Sequence, residues 1–362
     1  MDKNSWLLFR GNTERSGNFY GDLKQELSLF WVMQLEPMTS SPIFHNNIVY
    51  NSTISGKIIA IDVYKKKAIW KNTIGLPFVS TPLIHNNLLV SCTFNSWINT
   101  HYSQDNSNNF IYAFDINDGG NKKWDLISGD IFSSPCVCDD MIITGGLNSE
   151  IYAIDLSGNI VWTFNTGNPI WSSPATFNNK IFLGSDDFFL YSLDSNGNLH
   201  WKTKLEGKIR ATPCLMPSTN SIFIGTHRGI MNCLTLSDGS IKWKYDIGKP
   251  ILSSVAIFND YLFFGCSDNC IYCLSILDGS IKWKYETANK IWSSPLIIVN
   301  EGILFVGSLD SHIYGLDSET GKLNWKFPTM DLIDSSPCAA KNMLFVNSRD
   351  GLLYCFTNKN IR

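Results

Sequence analysis

Eight tryptophans return along this chain at a nearly fixed interval, and that interval limits the fold more than any other feature. Trp31, Trp70, Trp124, Trp162, Trp201, Trp243, Trp283 and Trp325 are separated by 39, 54, 38, 39, 42, 40 and 42 residues. After each comes a Ser-Ser-Pro triplet or a close variant, ending at Pro42, Pro82, Pro135, Pro174, Pro213, Val255, Pro295 and Pro337. Each unit then has a turn such as "HNN" or "FND", an apolar run ending near Gly-Ser, a second turn, an "IYALD"-like run, a third turn and the next Trp. A period of this length marks stacked supersecondary units.

The apolar runs are four to six residues long, β-branched or aromatic, and fenced by Gly, Asn or Asp. These are strand signals, and no stretch has helical periodicity. Four short strands in about 40 residues make one propeller blade. The predicted fold is therefore all-β: an eight-bladed β-propeller of four-stranded antiparallel blades, one domain over residues 1–362. The last unit ends at "LLYCF" without a Trp strand, while "LSLFWVMQL" at residues 27–35 has no unit of its own. The N-terminal strand should thus complete blade 8, because an open ring would leave a free edge. The interval of 54 places an insertion in blade 2, at about 94–109, containing Trp97, His101 and Tyr102.

Charge excludes one class of function. Charged residues are 17% and the net charge is −3, whereas a nucleic-acid binder carries a basic stripe. No apolar run approaches a membrane span. In "MDKNSWLLFRGN" the apolar stretch ends at Arg10, which predicts no signal peptide and a cytoplasmic, monomeric protein. The ten cysteines occupy strand positions where sister units carry Ala, Val or Leu, so they read as small buried hydrophobes. Cys266-x3-Cys270-x2-Cys273 has iron–sulfur spacing, but Cys270 and Cys273 fall on one strand and point to opposite faces. "CVC" at 136–138 has no second ligand pair at zinc spacing, and no metal site is predicted.

The triplet is constant while the residue before it varies. Small Ser residues let eight inner strands converge, and Pro is tolerated at a strand start. The preceding residues, at the rim of the central channel, are Thr39, Val79, Phe132, Trp171, Arg210, Leu252, Trp292 and Asp334. Packing leaves them free, and a ring of aromatics with one cation and one anion suits a small molecule or peptide. By ring symmetry Phe132 should face Trp292, Trp171 should face Asp334, and Arg210 should face Thr39. A second variable position on the same face gives Thr53, Thr93, Leu147, Asp186, His227, Ser267, Leu309 and Arg349. Arg210, His227 and Arg228 should therefore meet on blade 5, and Asp334, Arg349 and Asp350 on blade 8. The recurring Asp187, Asp268, Asp310 and Asp350 read as turn formers. The blade 2 insertion should lie over the cup as a flap.

"SWLLFRGNTERSGNFYG" resembles the opening of PQQ-like propellers, and "GLDSETGKLNW" is similar to their tryptophan-docking motif, with Gly315 for Ala. The resemblance covers essentially the whole chain. It implies the propeller fold, with each docking Trp packed between neighbouring blades. It does not fix function, since that family includes quinoprotein dehydrogenases, an outer-membrane assembly lipoprotein and binding domains. The dehydrogenases carry a disulfide between adjacent cysteines and a calcium beneath the quinone. This chain has no Cys-Cys pair, so PQQ and every other cofactor are expected to be absent.

Three functions remain. The first is a binding module taking a small molecule or peptide against Phe132, Trp171, Arg210, Trp292, Asp186 and Arg349, with Trp97, His101 and Tyr102 above. The second is an enzyme using the same cup for cofactor-independent lyase, cyclase, isomerase or hydrolase chemistry, with His227 or Asp334 as acid/base. The third is a scaffold that binds a partner protein by its blade sides.

Overall fold

A computed structural model describes residues 5–94 and 109–359. Its strands make eight sheets, one per blade, each antiparallel within the blade. The closing strand Leu27–Gln34 runs antiparallel to Leu352–Asn358 and completes the sheet of blade 8, as the unpaired Trp strand predicts. No helix among the described residues is long and apolar enough to cross a membrane.

The docking tryptophans join consecutive blades. Trp243, on the outer strand Ile241–Asp246 of blade 5, donates its indole N–H to the Ile276 carbonyl of blade 6 at 2.8 Å. Gly279 sits in that turn with φ +72°, and a Cβ there would come within 2.6 Å of the Trp243 ring. The same link crosses the junction of the chain ends: Trp325 donates to Leu27, and Trp31 in turn donates to Val63 of blade 1. The outer strands alternate half-buried aromatics with exposed lysines, as in "IKWKYD". Charged side chains of this kind blunt an edge against further strand pairing.

The triplet leads into the innermost strand, which begins just after the proline (Ala175–Phe177 in blade 4). Its two serines do different work. The first ties the triplet to its own blade's second strand or to the next blade, as Ser40 does by donating to Ser52 and Ser172 by donating to Ala211. The second ties a blade to the next at seven of the eight junctions around the channel. The amides of Ser41, Thr81, Ser134, Thr212, Ser254, Ser294 and Ser336 donate to the hydroxyls of Thr81, Ser134, Ser173, Ser254, Ser294, Ser336 and Ser41 respectively, at 2.9–3.3 Å. A hydroxyl acceptor is required at this position, which is why Ser or Thr fills it in every blade.

Ahead of the closing strand, the N-terminal segment straps the underside of the ring. Trp6 bridges to Phe44 in blade 1, Leu7 accepts from Ile84, and Thr13, Glu14, Ser16 and Gly17 accept from the inner strands of blades 4, 5, 6 and 7. Asn18–Phe19 adds a short parallel strand to blade 7. Two arginines of the strap, Arg10 and Arg15, are almost wholly buried, at 2% and 0% exposure. Arg15 donates to the carbonyls of Phe9, Ser134, Pro135 and Pro174, and Arg10 to those of Val255 and Pro295. Proline ends the ladder, and its carbonyl and those beside it point into the channel, where these guanidiniums satisfy them.

Candidate functional site

Each rim residue is fixed on both sides. The residue before it is a buried anchor, such as Ile170, Ile209, Ile251 or Ile291. The anchor's amide donates to a carbonyl of the preceding blade: Ile209 to Ser185, Ile251 to Thr226 and Ile291 to Cys266. The triplet holds the other side. A side chain pinned between two buried neighbours is presented to the channel in a set direction before any ligand arrives.

All eight rim residues line one cup of about 360 Å³ at the channel mouth. Phe9 of the strap forms its floor, the second hydroxyl residues of the triplets form a collar, and Arg349 stands at the lip. The volume suits a small molecule or a short stretch of peptide.

Contacts within the ring run between neighbours rather than across it. Phe132 and Trp171 pack with their rings tilted, 5.1 Å between centroids, and Phe94 packs on both at 6.0 and 6.1 Å. The Arg210 guanidinium lies 4.9 Å over the Trp171 ring and forms a two-pronged bond with Asp186 at 3.0 and 2.8 Å. Lys208 adds a third charge, 3.2 Å from Asp186. The side chain of Asp186 is only 6% exposed and stands behind Arg210, not in the lining. His227 also lies outside the lining, beside these charges; burial, then Arg210, holds its pKa below the usual imidazole value.

The opposite side, from blades 7, 8 and 1, is polar and incomplete. Arg349 grips one oxygen of Asp334, Oδ2, at 2.9 and 2.6 Å. The other oxygen, Oδ1, is buried with no hydrogen-bond partner among the described residues. Trp292 Nε1 and Thr39 Oγ1 are in the same state. Asp334 is 11% exposed, and its burial raises its pKa against the lowering effect of Arg349.

Other expected residues fall elsewhere. Arg228 turns outward to pair with Glu206, and Asp350 bonds the Tyr354 hydroxyl and the Met330 amide. Asp187, Asp268 and Asp310 likewise accept from Tyr191, Tyr272 and Tyr314 at 2.5–2.6 Å, so these aspartates latch their blades as well as shape turns. In blades 1 and 2 the second variable position is Ile54 and Phe94, not Thr53 and Thr93. The Thr53 and Thr93 amides make the turn bonds that Ser185 and Thr226 make in blades 4 and 5, so each belongs one place earlier. Phe94 was thereby missed, although the run "LLVSCTF" places it two residues past the end of the strand Leu88–Cys92. Trp97, His101 and Tyr102 lie outside the described residues.

All ten cysteines are buried and free, and the described residues hold no cluster of three or more His, Cys, Asp or Glu that could bind a metal.

Two family models match the chain. One, described as the β-propeller of beta-alanine-activating enzyme, matches residues 105–305. The other, described as outer membrane protein assembly factor BamB, matches residues 26–130 and 286–361. No curated protein sequence matches. Among solved structures, BamB from Moraxella catarrhalis superposes with a TM-score of 0.77 at 15% identity, over 92% of this chain and 100% of its own. Quinohemoprotein alcohol dehydrogenase from Comamonas testosteroni superposes with a TM-score of 0.83 at 12% identity, over 98% of this chain and 80% of its own. A europium-containing methanol dehydrogenase gives 0.81 at 12% identity, over 99% and 98%. At these identities the likeness is one of fold.

Proposed function

We propose that this chain, which belongs to the PQQ-like β-propeller family, binds a small molecule or peptide in the cup at its channel mouth, and does so without PQQ. The observation that carries the reading is the trio of buried polar atoms on one side of the cup that have no partner among the described residues: Trp292 Nε1, Asp334 Oδ1 and Thr39 Oγ1. A buried polar group without a partner costs about 1–3 kcal/mol, and three on adjacent blades point to a bound molecule that completes them. The Phe132–Trp171–Phe94 cluster supplies the apolar surface that such a ligand would stack on.

PQQ with calcium does not suit the donor set. The cup's Asp334 and the neighbouring Asp186 are each gripped by a guanidinium, and no pair of adjacent cysteines exists to make the vicinal disulfide. Titration with PQQ and Ca²⁺ should give no saturable absorbance change and no dye-linked alcohol oxidation.

The binding reading is tested by a thermal-shift screen of metabolites and short peptides, followed by Trp171→Ala and Trp292→Ala. Both variants should melt close to the unmodified protein and lose the shift from any hit. A hit that stabilises both variants as well as the parent would place its site elsewhere. Asp334 favours a second reading, acid/base chemistry in the same cup. A buried carboxyl with a raised pKa and one unbonded oxygen can hold a proton for transfer. Turnover of a hit that Asp334→Asn abolishes, while binding persists, would favour this enzyme reading.

A further inference from the structure

The floor of the cup has a chemistry that its rim does not. In seven blades the second hydroxyl of the triplet accepts a backbone N–H from the neighbouring blade. A hydroxyl that accepts still has one proton to donate. None of the seven donates it to an acceptor among the described residues, and all seven side chains line the cup while being at least nine-tenths buried. The collar is thus a ring of O–H donors aimed at one small volume.

Charge of the same sense lies beneath. Arg10 and Arg15 are buried under the collar and bonded only to neutral carbonyls, with Arg10 Nε left without a partner; neither forms an ion pair among the described residues. Arg210 and Arg349 at the rim are each neutralised by an aspartate. The floor arginines therefore carry positive charge that no ion pair among the described residues offsets, beneath a lip where Arg210 and Lys208 share the single Asp186. Its medium is of low dielectric, where a field reaches further than in water. Phe9 lies between, with the Arg15 guanidinium 5.7 Å from its ring, so the arginines act through their field and the hydroxyls by contact.

We propose that the cup is an oxyanion receptor: the ligand's carboxylate or phosphate sits in the hydroxyl collar above Arg10 and Arg15. This rests on the cup being a binding site. It narrows the ligand to an anion with an apolar part that reaches Trp171 and Phe132.

Collisional quenching of tryptophan fluorescence tests the charge and the cup separately. The cup component is the signal lost in the Trp171→Phe/Trp292→Phe double variant. Acrylamide reports access, and iodide and caesium report the sign of the field, each normalised to free N-acetyltryptophanamide at equal ionic strength. Iodide should quench the cup component at least about threefold more than caesium. Inorganic phosphate should suppress that quenching, and Leu252→Glu, which adds a carboxylate at the rim, should remove the iodide preference. If acrylamide quenches but iodide shows no preference, or phosphate gives no protection, the oxyanion inference fails and the cup stands. If acrylamide cannot reach Trp171 and Trp292, both fail.

Discussion

Replacing Arg15 with methionine sets two large effects against each other. Methionine keeps much of the stem's volume and deletes the charge. The Ser134, Pro135 and Pro174 carbonyls would then lose their donor, at about 1–3 kcal/mol each. Against this, a guanidinium buried without a counter-charge would no longer be desolvated, a relief of several kcal/mol in a poorly bonded site. The bonding here is good: four carbonyls accept from Nε, Nη1 and Nη2. The loss should therefore win, and Arg15→Met should cost about 3–5 kcal/mol. Arg15→Lys should fall between, since a point charge cannot span carbonyls from two blades as the planar fork does. The assay is equilibrium unfolding in guanidinium chloride, followed by both tryptophan fluorescence and circular dichroism, with the slope checked for constancy. If Arg15→Met unfolds at or above the parent midpoint with the same slope, desolvation outweighs the bonds and the strap does not pin the ring.

Trp243→Ala should cost about 3–5 kcal/mol, because it removes a large aromatic packed against the next blade; an unchanged melting temperature would refute the docking role. Tyr314→Phe should cost about 1.5–3 kcal/mol by leaving Asp310 without the phenol donor at 2.6 Å, measured by denaturant midpoint. The lowered pKa of His227 has a definite sign: the unfolded chain takes up its proton first, so the stability it contributes is present above about pH 6.5 and is lost as the pH falls from there through the folded value. Melting temperatures from pH 7.5 to 5 should therefore fall less steeply in His227→Gln than in the parent, and NMR should show the imidazole titrating below the usual range.

What repeats in this chain was legible, and what occurs once was not. The Trp period and the triplet gave eight blades, and the unpaired "LSLFWVMQL" gave the closure, because each was compared with seven sisters. The strap has no sister. Its two arginines, five positions apart, look like surface charges in a polar stretch, and nothing periodic says they are buried. The signal available was local: Gly11 and Gly17, at φ +82° and +67°, flank a segment too irregular for a strand. The rim positions were also legible, but their partners were not. Ring symmetry pairs opposite blades, yet side chains reach only their neighbours, so Arg210 finds Asp186 and Phe132 finds Trp171. Thr53 and Thr93 were misplaced because their units end the strand with Ser52 or Cys92 where blades 3 to 7 have Gly, which hid a shift of one residue.

Blade 5 shows the same logic from the other side. Blades 4, 6, 7 and 8 each hold an Asp–Tyr latch, and blade 3 substitutes Asn148 and Tyr152 at 2.6 Å. Blade 5 has Arg228 and Asn232 at those places. Arg228 turns to Glu206 at the surface, and Asn232 is buried with its amide bonded to the strand and its oxygen without a partner among the described residues. Blade 5, which lacks the latch as blade 1 does with Ser55 and Ile59, is the one that brings Arg210, Lys208 and His227 to the cup's edge. A latch aspartate at position 228 would put a further carboxylate beside this cluster. It would offset the positive potential that Arg210 and Lys208 hold against a single Asp186. The departure from the repeat therefore weakens one blade's own fastening and leaves the lip cationic, in keeping with the floor beneath it.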